Sequence, residues 1–168
     1  MCKETEALIL PDRLCYAEFG GNILAFIDTA YQIFKKDFID TKPLFEGKQI
    51  KLKKFPLVAG RECTFYHLTQ EGDNEAERDF SIERTECIPF PRPIIDNVSH
   101  PYLKVWHNIR KGRERILIFH EKESYLVVLE KREDYTLFWT AYPVTYEHTY
   151  KKLMSEYEAY IKSKDRQD

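Results

Sequence analysis

Residues 113–144 read RERILIFHEKESYLVVLEKREDYTLFWTAYPV. Three short runs, Arg113–Phe119, Ser124–Glu130 and Tyr135–Tyr142, are rich in β-branched and aromatic side chains and are bounded by Glu121-Lys122-Glu123-Ser124 and Lys131-Arg132-Glu133-Asp134. Such runs divided by polar breaks of about four residues predict antiparallel strands joined by hairpin turns. A meander of this kind needs a cover for its apolar side. Tyr146, Tyr150, Leu153, Met154, Tyr157, Tyr160 and Ile161 recur near helical spacing and predict that cover as a helix following the sheet.

Working outward, Ile23, Ile27, Ala30, Phe34 and Phe38 fall three and four residues apart, widened by Leu24 and Tyr31, and predict an amphipathic helix over 21–38. Pro43 ends it, because the residue before a proline is pushed out of helical geometry. That apolar stripe is expected to pack on the chain's own sheet rather than on a partner. Lys48 to Leu57 alternates in part and predicts an edge strand guarded by Lys53 and Lys54. Cys63 to Leu68 reads as a strand, Glu75 to Glu86 as a charged helix, and Pro89, Pro91 and Pro93 as a rigid extended stretch. A further strand is expected from Tyr102 to Ile109, with a turn at 108–112. The fold class is therefore α+β, an antiparallel sheet with helices on one face.

The 168 residues suffice for one domain, and eleven Tyr and eleven Phe argue for a packed core. The expected organisation is a helical N-terminal extension over 1–55 packed on an α+β domain over 56–162, with a solvated tail over 163–168. No run approaches the ~18 apolar residues of a membrane span, and the acidic N-terminus does not resemble a signal peptide. A cytoplasmic protein is expected. Cys2, Cys15, Cys63 and Cys87 lie far apart, without zinc spacing, and read as free thiols, mostly buried. No metal or other cofactor is expected.

A net charge of −2 and a pI near 6.2 exclude a strongly basic coat for nucleic acid. Charge is unevenly spread, however. Residues 71–86 carry seven acids against Arg78 and Arg84, whereas 104–115 carry Lys104, Arg110, Lys111, Arg113 and Arg115 against Glu114 alone. Lys48, Lys51, Lys53 and Lys54 form a second basic cluster. Glycine-rich phosphate loops, nucleophile elbows and zinc-protease motifs are all missing, which removes the commoner kinase and hydrolase readings.

The scattered motifs Phe65-Tyr66-His67-Leu68-Thr69, Arg84 with Ile88-Pro89 and Pro93-Ile94-Ile95, Arg115-Ile116, Tyr125 to Leu129, Tyr135 and Thr140-Ala141-Tyr142 together resemble the phage-associated branch of the barnase/EndoU/colicin/RelE superfamily of RNases. The resemblance spans roughly residues 56–160. It implies a toxin-type endoribonuclease that cuts without a metal, by attack of the ribose 2′-hydroxyl, with RNA as substrate and an antitoxin or immunity protein as partner.

Such chemistry needs a proton shuttle and fixed cations. Histidine titrates near neutrality, and arginine offers a permanently charged fork for phosphate. His67, just before the Gly72 loop, is the candidate acid/base group, although a histidine among aromatics is often only structural. Arg84 and Arg115 are candidate phosphate clamps. Thr140 and Tyr142, alternating with Trp139 and Ala141, project to one face at what the resemblance implies is the active end of the sheet. Thr69, Arg78, Arg113 and Lys104 are candidate RNA contacts. His100, His107, His120 and His148 have no counterpart in the motifs and stand outside the expected site. The same residues are also compatible with a non-catalytic RNA-binding or protein-interaction module, or with a nucleotide ligand.

Overall fold

The computed structural model describes residues 4–167. Helix α1 (Ile23–Lys35) starts where the Asn22 side chain accepts from the Ala25 N–H at 3.1 Å, satisfying one of the free donors of the first turn. Phe26, Ala30, Phe34 and, in a wider π turn over Lys36–Asp40, Phe38 fall four residues apart and are fully or almost fully buried. This is the stripe expected from the sequence, displaced onto Phe26 at its start, and it packs on the chain's own sheet through Phe38 against Phe138.

Strands β1 (Leu44–Phe45) and β2 (Lys48–Leu52) come next, then helix α2 (Cys63–Thr69), strands β3 (Gln70–Glu71) and β4 (Asp79–Phe80), and helices α3 (Ile82–Glu86) and α4 (Pro91–Asp96). The meander follows as β5 (Lys104–Arg110), β6 (Arg113–His120), β7 (Tyr125–Lys131) and β8 (Thr136–Pro143), and helix α5 (Glu147–Asp165) closes the fold. The large sheet has the order β1-β2-β8-β7-β6-β5. At the β5–β6 hairpin, Arg110 faces Arg113 directly, and the intervening Lys111 and Gly112 both have positive φ, as a two-residue hairpin loop requires.

Several expectations are corrected. The sheet is mixed, since β2 runs parallel to β8, and β2 lies inside the two-residue β1 rather than at the edge. Both faces are covered, and the reason is visible in β6 and β7. Ile116, Ile118, Tyr125, Val127 and Leu129 join the core under α1, α2 and α4, while Leu117, Phe119, Leu126 and Val128 join Trp106 and Leu153 under α5. Strands apolar at successive positions need two covers, not one.

Cys63 to Leu68 is a helix, and all its residues but Tyr66 are buried. Burial on every side removes the amphipathic pattern by which a helix is read. The 75–86 segment is broken by the β3–β4 pair, and α3 begins only where the Ser81 hydroxyl caps the Arg84 N–H at 3.2 Å. The proline stretch is helical because Pro91 and Pro93 fall in the first turn, where a missing N–H costs nothing. Cys87 is a buried free thiol, Cys63 is buried and Cys15 is exposed, while Cys2 lies outside the described residues.

Candidate functional site

A cleft of about 510 Å³ opens on the α5 side of the sheet. Its floor is β6–β8, with Arg115, Leu117, Val128, Trp139, Thr140 and Tyr142. One wall is the β3–β4 loop with Gly72, Asp73 and Arg78, together with Arg84 of α3. The other is the first half of α5, with His148, Lys152 and Glu156, and the end of β5, with Asn108 and Arg110.

Two features of the fold create it. First, a register shift at Val128/Leu129 leaves Trp139 as the extra residue of a bulge, with Val128 facing Thr140 and Leu129 facing Phe138. Trp139 and Thr140 therefore both reach the cleft, whereas simple alternation would have separated them. Second, β2 stops pairing at Phe138, and α2 takes over along the β8 edge. There Thr140 Oγ1 donates to the His67 carbonyl at 3.4 Å, and the His67 ring Nδ1 stands 3.4 Å from the Trp139 carbonyl.

Arg84 is the best-anchored cation. Its Nη1 donates to the carbonyls of Gln70 at 3.0 Å and His67 at 3.3 Å, and its guanidinium lies 5.0 Å from the Tyr142 ring centroid. Burial, reinforced by the neighbouring Arg78 charge, lowers its pKa against the opposing pull of Glu71, whose carboxylate stands 3.9 Å away. Arg78 donates through Nε to the Gly72 carbonyl at 3.0 Å, while its Nη1 is buried with no hydrogen-bond partner. An orphan guanidinium donor beside a second guanidinium is the arrangement that phosphate oxygens complete.

Arg115 donates through Nε to the buried Glu130 at 3.2 Å, and its Cζ lies 5.0 Å from the Trp139 ring. Glu130 also faces Arg132 at 2.5 Å and Arg113 at 4.0 Å, so one carboxylate lies beneath three guanidiniums. Burial raises the Tyr142 pKa against the opposing pull of Arg84, Arg110 and Arg115, so its hydroxyl is protonated at neutral pH. Glu156 is held by the Trp106 indole N–H at 2.7 Å and the Asn108 amide at 3.2 Å.

Of the residues expected from the sequence, Arg78, Arg84, Arg115, Thr140 and Tyr142 converge on this cleft from separate segments. The others do not line it. His67 is 4 % exposed, with its Nε2 3.6 Å from the Cys63 sulfur, and what it turns toward the site is its carbonyl. Thr69 donates to the Phe65 carbonyl inside α2. Lys104 is paired with Glu121 at 2.8 Å, at the end of β5 opposite Arg110. Arg113 is half exposed beyond the cleft.

The residues the sequence reading left out are His148, Lys152 and Glu156 on α5, and Asn108 on β5. The α5 residues recur every four positions, so they form a polar stripe beside the apolar one that predicts the helix.

Among the described residues, no group of three or more His, Cys, Asp or Glu stands close enough together to hold a metal ion, and no helix is long and apolar enough to cross a membrane. No protein-family model matches the chain, and no curated protein or solved structure does either.

Proposed function

We propose that this cleft binds the RNA backbone and cuts it by attack of the ribose 2′-hydroxyl on the adjacent phosphorus, without a metal. The observation that carries the reading is the convergence of Arg78, Arg84, Arg115, Thr140 and Tyr142 in one cleft from four different segments. In the reaction a bond forms from the 2′-oxygen to phosphorus and the bond from phosphorus to the 5′-oxygen breaks, leaving a 2′,3′-cyclic phosphate. His148, at the cleft rim, takes the 2′ proton, and the Tyr142 hydroxyl gives one to the departing 5′-oxygen. Arg84 and Arg115, fixed in advance by carbonyls and by Glu130, hold the charge that builds on the phosphoryl oxygens. His67 acts at one remove, by holding Arg84 and Thr140 through its carbonyl. An inhibitor protein seated over the cleft is the partner this reading implies.

Binding without cleavage is the second reading, favoured because the His67 imidazole is buried outside the cleft lining. The two are separated by incubating total RNA in EDTA with the wild type and with Arg84→Ala and His148→Ala variants of matching circular dichroism. New cyclic-phosphate ends from the wild type, reduced about 100-fold or more in Arg84→Ala, support cleavage. RNA left intact by a protein that still binds it supports the second reading.

A further inference from the structure

We propose that the ligand is a single strand rather than a mononucleotide or a duplex, and that it runs from the cleft over Trp139 onto a second, shallower depression carrying its own phosphate and base contacts. This rests on the RNA reading of the cleft.

The second depression, of about 430 Å³, lies beside the cleft, and Trp139 lines both. Beyond Trp139 its walls alternate cation and ring. The Lys53 ammonium lies 5.9 Å from the Trp139 centroid, and the Lys51 ammonium lies 4.6 Å from the Tyr135 centroid. Arg132 completes the lining, and its Nε is buried with no hydrogen-bond partner although another of its nitrogens meets Glu130. A buried guanidinium donor left open next to two lysines points to a second anion, distinct from the one between Arg78 and Arg84.

Tyr135 immediately precedes β8, four residues before Trp139, and four extended residues span roughly 13 Å, a distance spanned by a chain of nucleotides and not by one. Rings interleaved with cations suit a strand whose bases are unpaired, because a duplex hides the base faces that would stack. An acidic peptide would satisfy the cations and leave the rings without a role.

The chain has two tryptophans, and Trp106 is fully buried, so quenching of intrinsic fluorescence reports Trp139. The probes are a 2′-O-methyl oligouridylate twelve nucleotides long, which cannot be cut, the same oligomer as a duplex, uridine 3′-phosphate, and a polyglutamate peptide as competitor. The single strand is expected to quench and to bind about tenfold or more tighter than the duplex or the mononucleotide. Tyr135→Ala should weaken it about tenfold, Tyr135→Phe should restore it, and Lys51→Ala should lower the salt slope by about one.

Equal affinity for duplex and single strand, an unchanged Tyr135→Ala, or competition by polyglutamate as effective as by the oligomer overturns the proposal. The probe is uncleavable, so quenching without any RNA cutting refutes catalysis alone. Cutting of a dinucleotide without oligomer quenching refutes the track alone.

Discussion

Replacing Glu130 by glutamine keeps the volume of the side chain and removes the one negative charge beneath Arg113, Arg115 and Arg132. Glu130 is 2 % exposed, and its closest contacts, Arg132 at 2.5 Å and Arg115 at 3.2 Å, come from guanidiniums that are themselves 24 % and 15 % exposed. Arg113, at 4.0 Å and half exposed, contributes little. A charge-assisted hydrogen bond is worth roughly 1.5–3 kcal/mol, and a neutral amide keeps about half of that. Two such losses, with guanidiniums left facing one another, amount to about 2–4 kcal/mol. For a chain of this size that lowers Tm by roughly 5–15 °C. The assay is calorimetric or circular-dichroism melting at low salt and near 1 M salt, where the screening length falls to about 3 Å and the deficit should shrink. RNA affinity should move the other way, tighter at low salt with a slope steeper by about one, because the ligand meets a site more positive by one charge. A variant as stable as the wild type, or one that loses stability and RNA affinity together, refutes the view that Glu130 is a buried counter-charge to a phosphate-binding cluster.

Three further outcomes follow from the packing. Burial pushes the Cys87 thiol up to about 12 from its ordinary 9.0, so above pH 9 the unfolded chain loses this proton while the native state keeps it, and stability falls with rising pH by up to ~1.4 kcal/mol per unit. Denaturant midpoints between pH 9 and 10 should show that slope in the wild type and a shallower one in Cys87→Ala. Phe34, fully buried against Phe38 and Phe65 with centroids 5.5 and 5.4 Å away, should cost about 3–5 kcal/mol as Phe34→Ala, measured by urea unfolding. Gly72 has φ of +128°, and an added Cβ would stand 3.4 Å from the Arg78 backbone. Gly72→Ala should therefore lose about 1–3 kcal/mol and weaken RNA binding by displacing Arg78.

The parts of the fold legible in the sequence are those set by local pattern. The two β-hairpins of 113–144, the strand before them and the helices at 23–35 and 147–165 are all where periodicity and polar breaks place them. What escaped was decided by distant contacts. The β2–β8 pairing joins segments far apart in the chain, and no local signal announces its parallel sense. Helix α2 has β-favouring residues and becomes helical because its carbonyls and rings are needed on the β8 edge and against α1, where packing overrides intrinsic preference. The cleft was half legible. Arginine as a phosphate ligand led to Arg78, Arg84 and Arg115, but the reach of Trp139 depends on a bulge. His67 is conspicuous by its residue type, but it lies inside a buried helix and its ring does not line the cleft.

The central claim, that the cleft is a phosphodiester site, is tested most directly by a crystal structure with a short 2′-O-methyl RNA. The account predicts one phosphate within hydrogen-bond reach of both Arg78 and Arg84, and the strand passing over Trp139. A strand bound elsewhere, for instance along Lys104 and Lys122, with Arg78 and Arg84 touching no phosphate, would contradict it.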